Sequence, residues 1–176
     1  AFPAALLDEL KRISPAMRVI NGYGPSECTI TCCAKHLTSG KNVTIGAPDN
    51  NCVFYVVDKF GSILPPFGCG ELIICGELVG RGYVNLPEKT AASFYTLRGL
   101  PAYHSGDTVR FNADGEVEFF GRIDNQVKLR GFRVELDEIE KCICSFEGVK
   151  QSKVIVRNNG NEDYLAGFFT ASKEIP

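Results

Sequence analysis

Residues 103 to 140, YHSGDTVRFNADGEVEFFGRIDNQVKLRGFRVELDEIE, constrain this chain more than any other stretch. They hold an acidic turn (Ser105, Gly106, Asp107), a turn-flanked β meander, a Gly-Arg-x-Asp step (Gly121, Arg122, Asp124), a basic hairpin and a helix start. Few folds need all of these in this order. Residues 1–123 read as the end of one body, and residues 124–176 as a smaller α+β body.

Within the stretch, Val109–Phe111 and Val117–Phe120 flank the turn Asn112–Gly115 and predict a hairpin. Gln126–Leu129 and Phe132–Leu136, around Arg130-Gly131, predict a second. Asp137, with Glu140 three residues on, predicts a capped helix whose apolar side is Leu136, Ile139, Ile143 and Phe146, stopped by Gly148. Lys150–Val156 and Tyr164–Ala171 predict strands around NNGNED.

Upstream, Pro3 and the stripe Leu6, Leu7, Leu10 and Ile13 predict a helix over residues 3–13, ended by Ser14 and Pro15. Met17–Ile20 predicts a short strand, NGYGPSE (residues 21–27) a sharp loop, and Cys28–Ala34 another strand. Residues 43–85 alternate β-rich runs with Gly and Pro turns and predict a compact, barrel-like antiparallel unit. Pro87–Phe94 reads as a short helix. The fold class is therefore mixed α+β.

Composition narrows the function. A net charge of −2 argues against a nucleic-acid partner. No apolar run approaches membrane-spanning length, and the N-terminal segment lacks the basic n-region of a signal peptide. Eight cysteines lie mostly in apolar runs, and the paired spacings of zinc sites are missing around Cys28, Cys32, Cys33 and His36. Core thiols and a cytoplasmic setting are expected. Neither end reads as a natural terminus, so a longer polypeptide is expected.

Several residues admit both a chemical and a structural reading. The NGYGPSE loop offers backbone N–H groups, a hydroxyl (Ser26), an aromatic face (Tyr23) and a carboxylate (Glu27). Such a set suits phosphates and a Mg²⁺ ion that shares their oxygens, or simply makes a turn before a strand. Asp107 can accept both hydroxyls of a ribose or cap its own turn. Arg122 can reach a phosphate or ribose, or make a surface ion pair. Asp124 can be a hinge or a turn residue. Lys128, Arg130 and Arg133 with Gly131 can be a docking surface for a phosphate-bearing arm or an acidic partner, or a solvated face. Glu71 and Arg81 read as structural.

Four motifs in order then resemble the adenylate-forming enzymes. Residues 21–27 resemble N-x-Y-G-P-T/S-E. Residues 70–76 with 80–83, GELIICG and GRGY, resemble G-E-L-x-I-x-G and R-G-Y. YHSGD (103–107) resembles Y-x-T/S-G-D, and GRIDNQVKLRGFRVEL (121–136) resembles G-R-x-D-x-Q-V-K-I/L-R-G-x-R-I/V-E-L/P. The Gln-Val-Lys-Leu-Arg-Gly run and Asp124 are similar to amino-acid adenylation domains of nonribosomal peptide synthetases; acyl-CoA ligases usually carry Lys at the hinge and Pro in place of Leu136.

The resemblance implies the C-terminal part of a large subdomain with a distorted β-barrel-like unit, then a small mobile subdomain. It implies ATP and Mg²⁺ as cofactors, and two steps: an amino acid and ATP give aminoacyl-adenylate, then the acyl group loads the phosphopantetheine thiol of a carrier domain among neighbouring synthetase domains. Asn21 and Tyr23 would contact adenine, with Gly24 in the same nucleotide loop. Ser26 would bond phosphate and Glu27 would hold Mg²⁺. Asp107 would hold the ribose hydroxyls and Arg122 would assist. Gly22, Ile30 and Thr31 would line the amino-acid pocket, and Asp124 would be the hinge. Ser26 and His104 stand where Thr and a basic Arg or Lys are commoner. The family's Ser/Thr/Gly-rich phosphate loop, its upstream pocket residues and its C-terminal catalytic Lys have no counterpart within these 176 residues, so the chain alone is expected to be inactive.

Overall fold

A computed structural model describes residues 2–40, 43–160 and 162–172, the side chains of Lys128 and Arg133 lying outside the described set. The chain divides into two compact units, Ala1–Ile123 and Asp124–Pro176.

In the first unit, helix α1 spans Ala4–Ile13 between Pro3 and Ser14. Its expected apolar stripe is only partly used. Leu7 is fully buried and Leu10 flanks a small cluster with Val19 and Leu37, but Leu6 and Ile13 are exposed. Strand β1 (Val19–Tyr23) pairs antiparallel with β2 (Cys33–Leu37), which pairs with the short β3 (Ala47–Pro48). Two expectations are corrected here. Asn21, Gly22 and Tyr23 belong to a strand rather than a loop, because Lys35, Ala34 and Cys33 supply cross-strand partners. Cys28 lies in a 3₁₀ turn, Ser26–Cys28, so β2 begins five residues later than expected.

The second sheet holds β4 (Cys52–Val57), β5 (Gly70–Gly76), β6 (Phe94–Leu97), β7 (Leu100–Phe111) and β8 (Val117–Arg122). Its order is β4-β5-β7-β6, with β8 on the later half of β7, and all pairs are antiparallel. Helix α2 (Pro87–Ser93), with Pro87 in its first turn, leads into β6. This is a curled sheet rather than a closed barrel: β4 forms one edge. Residues 45–48 serve both sheets. Ile45 N–H donates to Val117 O at 2.9 Å and Val117 N–H to Gly46 O at 2.8 Å, while Ala47 and Pro48 pair with β2.

The main core lies under these sheets and contains Cys28, Cys32, Cys33, Cys52, Phe54, Leu72, Ile74 and Val109. All eight cysteines are free thiols; Cys69, Cys142 and Cys144 are exposed and the other five buried. Burial pushes the Cys28 thiol up to about 12 and Cys75 up to about 11. Such thiols pack as small hydrophobes and are poor nucleophiles.

In the second unit, β9 (Gln126–Leu129) and β10 (Phe132–Glu135) form a hairpin turning on Arg130 and Gly131, at φ 51° and 85°. That pair of positive angles is a type I′ turn, which matches strand twist. Helix α3 spans Leu136–Cys144. Its N-cap is Glu135, without a side-chain cap bond, so the expected Asp137–Glu140 capping box does not form. Asp137 instead accepts a hydrogen bond from Asn125 at 2.9 Å. Glu140 accepts the Val154 N–H at 2.8 Å and pairs with Lys153 at 2.9 Å, fixing α3 on strand β11 (Val149–Asn158). β11 pairs with β12 (Asp163–Ala171). No helix among the described residues is long and apolar enough to cross a membrane.

Candidate functional site

The first unit gathers three of the expected site residues. Ser105, Gly106 and Asp107 are not a turn but a bulge inside β7. Opposite β5, Glu71 pairs with Thr108 while Ile73 pairs with His104, so β7 carries extra residues facing Leu72. Gly106 absorbs them at φ 71°, a conformation that costs glycine little. Three bonds pin the bulge. Ser105 Oγ donates to Leu72 O at 2.7 Å, Asp107 N–H donates to Ser105 Oγ at 3.0 Å, and Gly106 N–H donates to Glu71 Oε1 at 3.0 Å. Glu71 also faces His104 Nδ1 at 3.1 Å. Bulges re-aim side chains in this way.

Asp107 is thereby presented to two donors. Arg122 Nη1, on β8, donates to Oδ1 at 3.0 Å, and the Tyr23 hydroxyl, at the end of β1, donates to Oδ2. Asp107 is buried, with 6% of its surface exposed. Burial first, and then the charge of Asp107, hold the Tyr23 phenol protonated far above its ordinary range. The Tyr23 ring lies tilted against Phe119, centroids 6.4 Å apart.

The other members of the 21–27 motif are spread around this cluster. Asn21 Nδ2 donates to Thr44 O at 2.8 Å, linking β1 to the segment that joins the sheets. Gly24 must be glycine for lack of space: a Cβ there would sit 2.5 Å from Ile30 O and 2.9 Å from Cys32 N. Ser26 is exposed at the start of the 3₁₀ turn. Thr29 and Ile30 come next in left-handed conformations, φ 55° and 73°. Of the expected pocket residues, Gly22 and Thr31 adjoin each other, since a Cβ on Gly22 would lie 3.7 Å from Thr31 Cγ2; Ile30 is 77% exposed.

Glu27 is held by a loop that sequence reading did not connect to it. Gly80 N–H donates to Glu27 O at 2.7 Å, Thr29 Oγ1 donates to Leu78 O at 2.8 Å, and the Tyr83 hydroxyl donates to Glu27 Oε1 at 2.6 Å. The available signal was the Gly-Arg-Gly-Tyr motif of residues 80–83, which by itself does not tie Tyr83 to Glu27. A half-buried hard carboxylate fits Mg²⁺, which keeps waters and shares phosphate oxygens rather than filling a protein cage.

In the second unit, Asp124 Oδ1 accepts the Gln126 N–H at 3.1 Å, an Asx turn at the unit's first residues. Arg130 pairs with Glu162 at 2.6 Å on an exposed surface. Lys128 and Arg133 are a cross-strand backbone pair; their side chains lie outside the described set. Gly131 faces open space.

Residues 1–84 match the family described as AMP-binding enzyme. Surfactin synthase subunit 2 of Bacillus subtilis (strain 168) is 41% identical over 97% of the chain, which spans 5% of that protein. The structure of PA1221, a nonribosomal peptide synthetase protein containing adenylation and PCP domains, superposes with a TM-score of 0.83 at 29% identity, over 96% of this chain and 36% of that one. The Vibrio cholerae adenylation domain AlmE, in complex with glycyl-adenosine-5'-phosphate, gives a TM-score of 0.83 at 27% identity, over 97% of this chain and 35% of that one. The chain belongs to the AMP-binding adenylation domains of the adenylate-forming enzymes, of the nonribosomal peptide synthetase kind. It spans a small fraction of the curated relative and about a third of the two solved structures.

Proposed function

We propose that this chain forms part of an ATP-dependent amino-acid adenylation domain acting within a longer polypeptide. The observation that carries the reading is the cluster of Asp107 with Tyr23 and Arg122, a buried carboxylate between an aromatic ring and a guanidinium. Those three groups suit an adenosine: a face for the base, a carboxylate for the ribose hydroxyls and a cation for nearby oxygen.

In this reading Tyr23 stacks on adenine and Asn21 lies at the base's edge. Asp107 accepts the ribose 2′- and 3′-hydroxyls, and Arg122 assists at ribose or phosphate. Gly24 keeps the turn tight and Ser26 donates to phosphate. Glu27 holds Mg²⁺, which when bound offsets charge on the phosphate oxygens. Gly22, Ile30 and Thr31 border the amino-acid side chain. The substrate carboxylate attacks the α-phosphorus, the bond to the bridging oxygen breaks, and pyrophosphate leaves. A carrier phosphopantetheine thiol then attacks the acyl carbon and AMP leaves. The site works by positioning and by stabilising charge at the α-phosphate. Asp124 is the hinge between the two steps, and Lys128, Arg130, Gly131 and Arg133 face the carrier or its arm.

The test is substrate-dependent ATP–pyrophosphate exchange by the polypeptide that carries this chain, with amino, aryl and fatty acids side by side. Exchange driven by one amino acid is the expected outcome. Exchange with non-amino acids alone would move the chain to acyl or aryl activation. No exchange from a folded protein that binds ATP would leave a carrier-docking role.

A further inference from the structure

Tyr83 is the residue the proposed chemistry leaves unused, although its hydroxyl lies 2.6 Å from Glu27 Oε1. Its surroundings fix it from several sides. Its N–H donates to Thr90 Oγ1 at 2.8 Å. Its ring meets Phe94 edge-on at 5.4 Å, and Phe94 rests on Tyr103 at 5.0 Å. Lys89 Nζ lies 5.4 Å from the ring centroid. Gly82, just before it, is packed against the Thr90 side chain so closely that a Cβ would sit 2.3 Å from Thr90 Cγ2. A phenol held this firmly delivers its proton to one point.

That point is one oxygen of a carboxylate whose backbone is gripped by the same loop through Gly80. We propose that Tyr83 is a positioning residue for divalent metal: its hydroxyl restrains the Glu27 carboxylate that would hold Mg²⁺. The physical reason is pre-organisation. A glutamate side chain swings about three torsions, and a carboxylate held by one donor loses less freedom when the metal arrives. The inference rests on Glu27 as the metal-bearing carboxylate.

The experiment is a Mn²⁺ titration of the ATP-saturated polypeptide, with free Mn²⁺ read by electron paramagnetic resonance. Wild type, Y83F, E27Q and the double variant are compared, with melting temperature and metal-free ATP affinity measured in parallel. Y83F is expected to weaken Mn²⁺ binding roughly tenfold while leaving metal-free ATP affinity unchanged. E27Q is expected to weaken it at least as much, and the double variant no further than E27Q alone, because Tyr83 acts only through Glu27. Unchanged Mn²⁺ affinity in Y83F beside a loss in E27Q overturns the role of Tyr83 and keeps Glu27 as the ligand. Unchanged affinity in E27Q overturns the metal reading of Glu27 itself. A Y83F protein that does not fold makes the hydroxyl a stability element and overturns the inference. F94L, which disturbs the ring's packing and keeps the hydroxyl, must lose less affinity than Y83F; an equal loss also overturns it.

Discussion

At the scale of single residues, Asp107 already has donors on both carboxylate oxygens, Arg122 on one and Tyr23 on the other. A ribose that uses this carboxylate must displace one of them, and the neutral phenol is the weaker partner. Y23F keeps the aromatic face and removes the competing donor. It is expected to bind AMP about fivefold more tightly, the worth of about 1 kcal/mol for one neutral hydrogen bond. D107N is expected to weaken AMP at least tenfold. Calorimetric titration with AMP checks both, and tighter binding by D107N would remove Asp107 from the site. At this scale the sequence offers candidate side chains but not which of them touch. Nothing local joins Tyr23 to Asp107, and nothing local says that the Tyr83 hydroxyl is aimed at Glu27.

At the scale of elements, Glu116 joins three parts of the first unit. It accepts from Lys35 on β2 and, at 3.0 Å, from Thr44 Oγ1, just before the segment that links the sheets. Lys35 first, then Thr44, hold its carboxyl below the ordinary glutamate value, against an opposing effect of burial. A folded value below the unfolded one means that the stabilisation is complete above the unfolded pKa and is lost as pH falls through the folded one. E116Q is therefore expected to be less stable than wild type at pH 7, by about 1 kcal/mol. The difference should shrink as pH drops below the ordinary glutamate range. Urea unfolding at neutral and acidic pH measures this, and a difference constant with pH would sink the assignment.

The elements also explain where sequence reading succeeded. Hairpin β9–β10 was legible because Arg130-Gly131 supplies both positive φ angles, and β11–β12 because its apolar runs flank a polar turn. The strand through Asn21-Gly22-Tyr23 was not, since Asn and Gly disfavour strands and pairing with β2 overrides them. Ser105-Gly106-Asp107 reads as a turn for the same reason; only neighbours on both sides of β7 turn it into a bulge. Asp137 looked like a cap, but Asn125 uses its carboxylate instead.

At the scale of the whole molecule, the cluster of Tyr23, Asp107 and Arg122 and the basic hairpin belong to different compact units. If the hairpin serves the carrier, reversing its charge separates the two steps of the reaction. Lys128→Glu, Arg130→Glu and Arg133→Glu together are expected to slow carrier loading about tenfold, a loss of about 1.4 kcal/mol in the barrier, while pyrophosphate exchange stays within about twofold. The pair that Arg130 makes with Glu162 is exposed, so its loss should cost stability less than about 1 kcal/mol. An unchanged loading rate would remove the hairpin from the docking surface.

The contact between Tyr23 and Asp107 also spans the two sheets of the first unit, 84 residues apart in sequence. An adenosine gripping both would act as a rivet driven through two plates that already share residues 45–48, the Lys35–Glu116 pair and a common core. Ligand at about a hundred times its dissociation constant would then add about 2.7 kcal/mol of stability, and the sheets would separate last where the nucleotide sits. Occupancy would make the first unit a stiffer body as well as a loaded one.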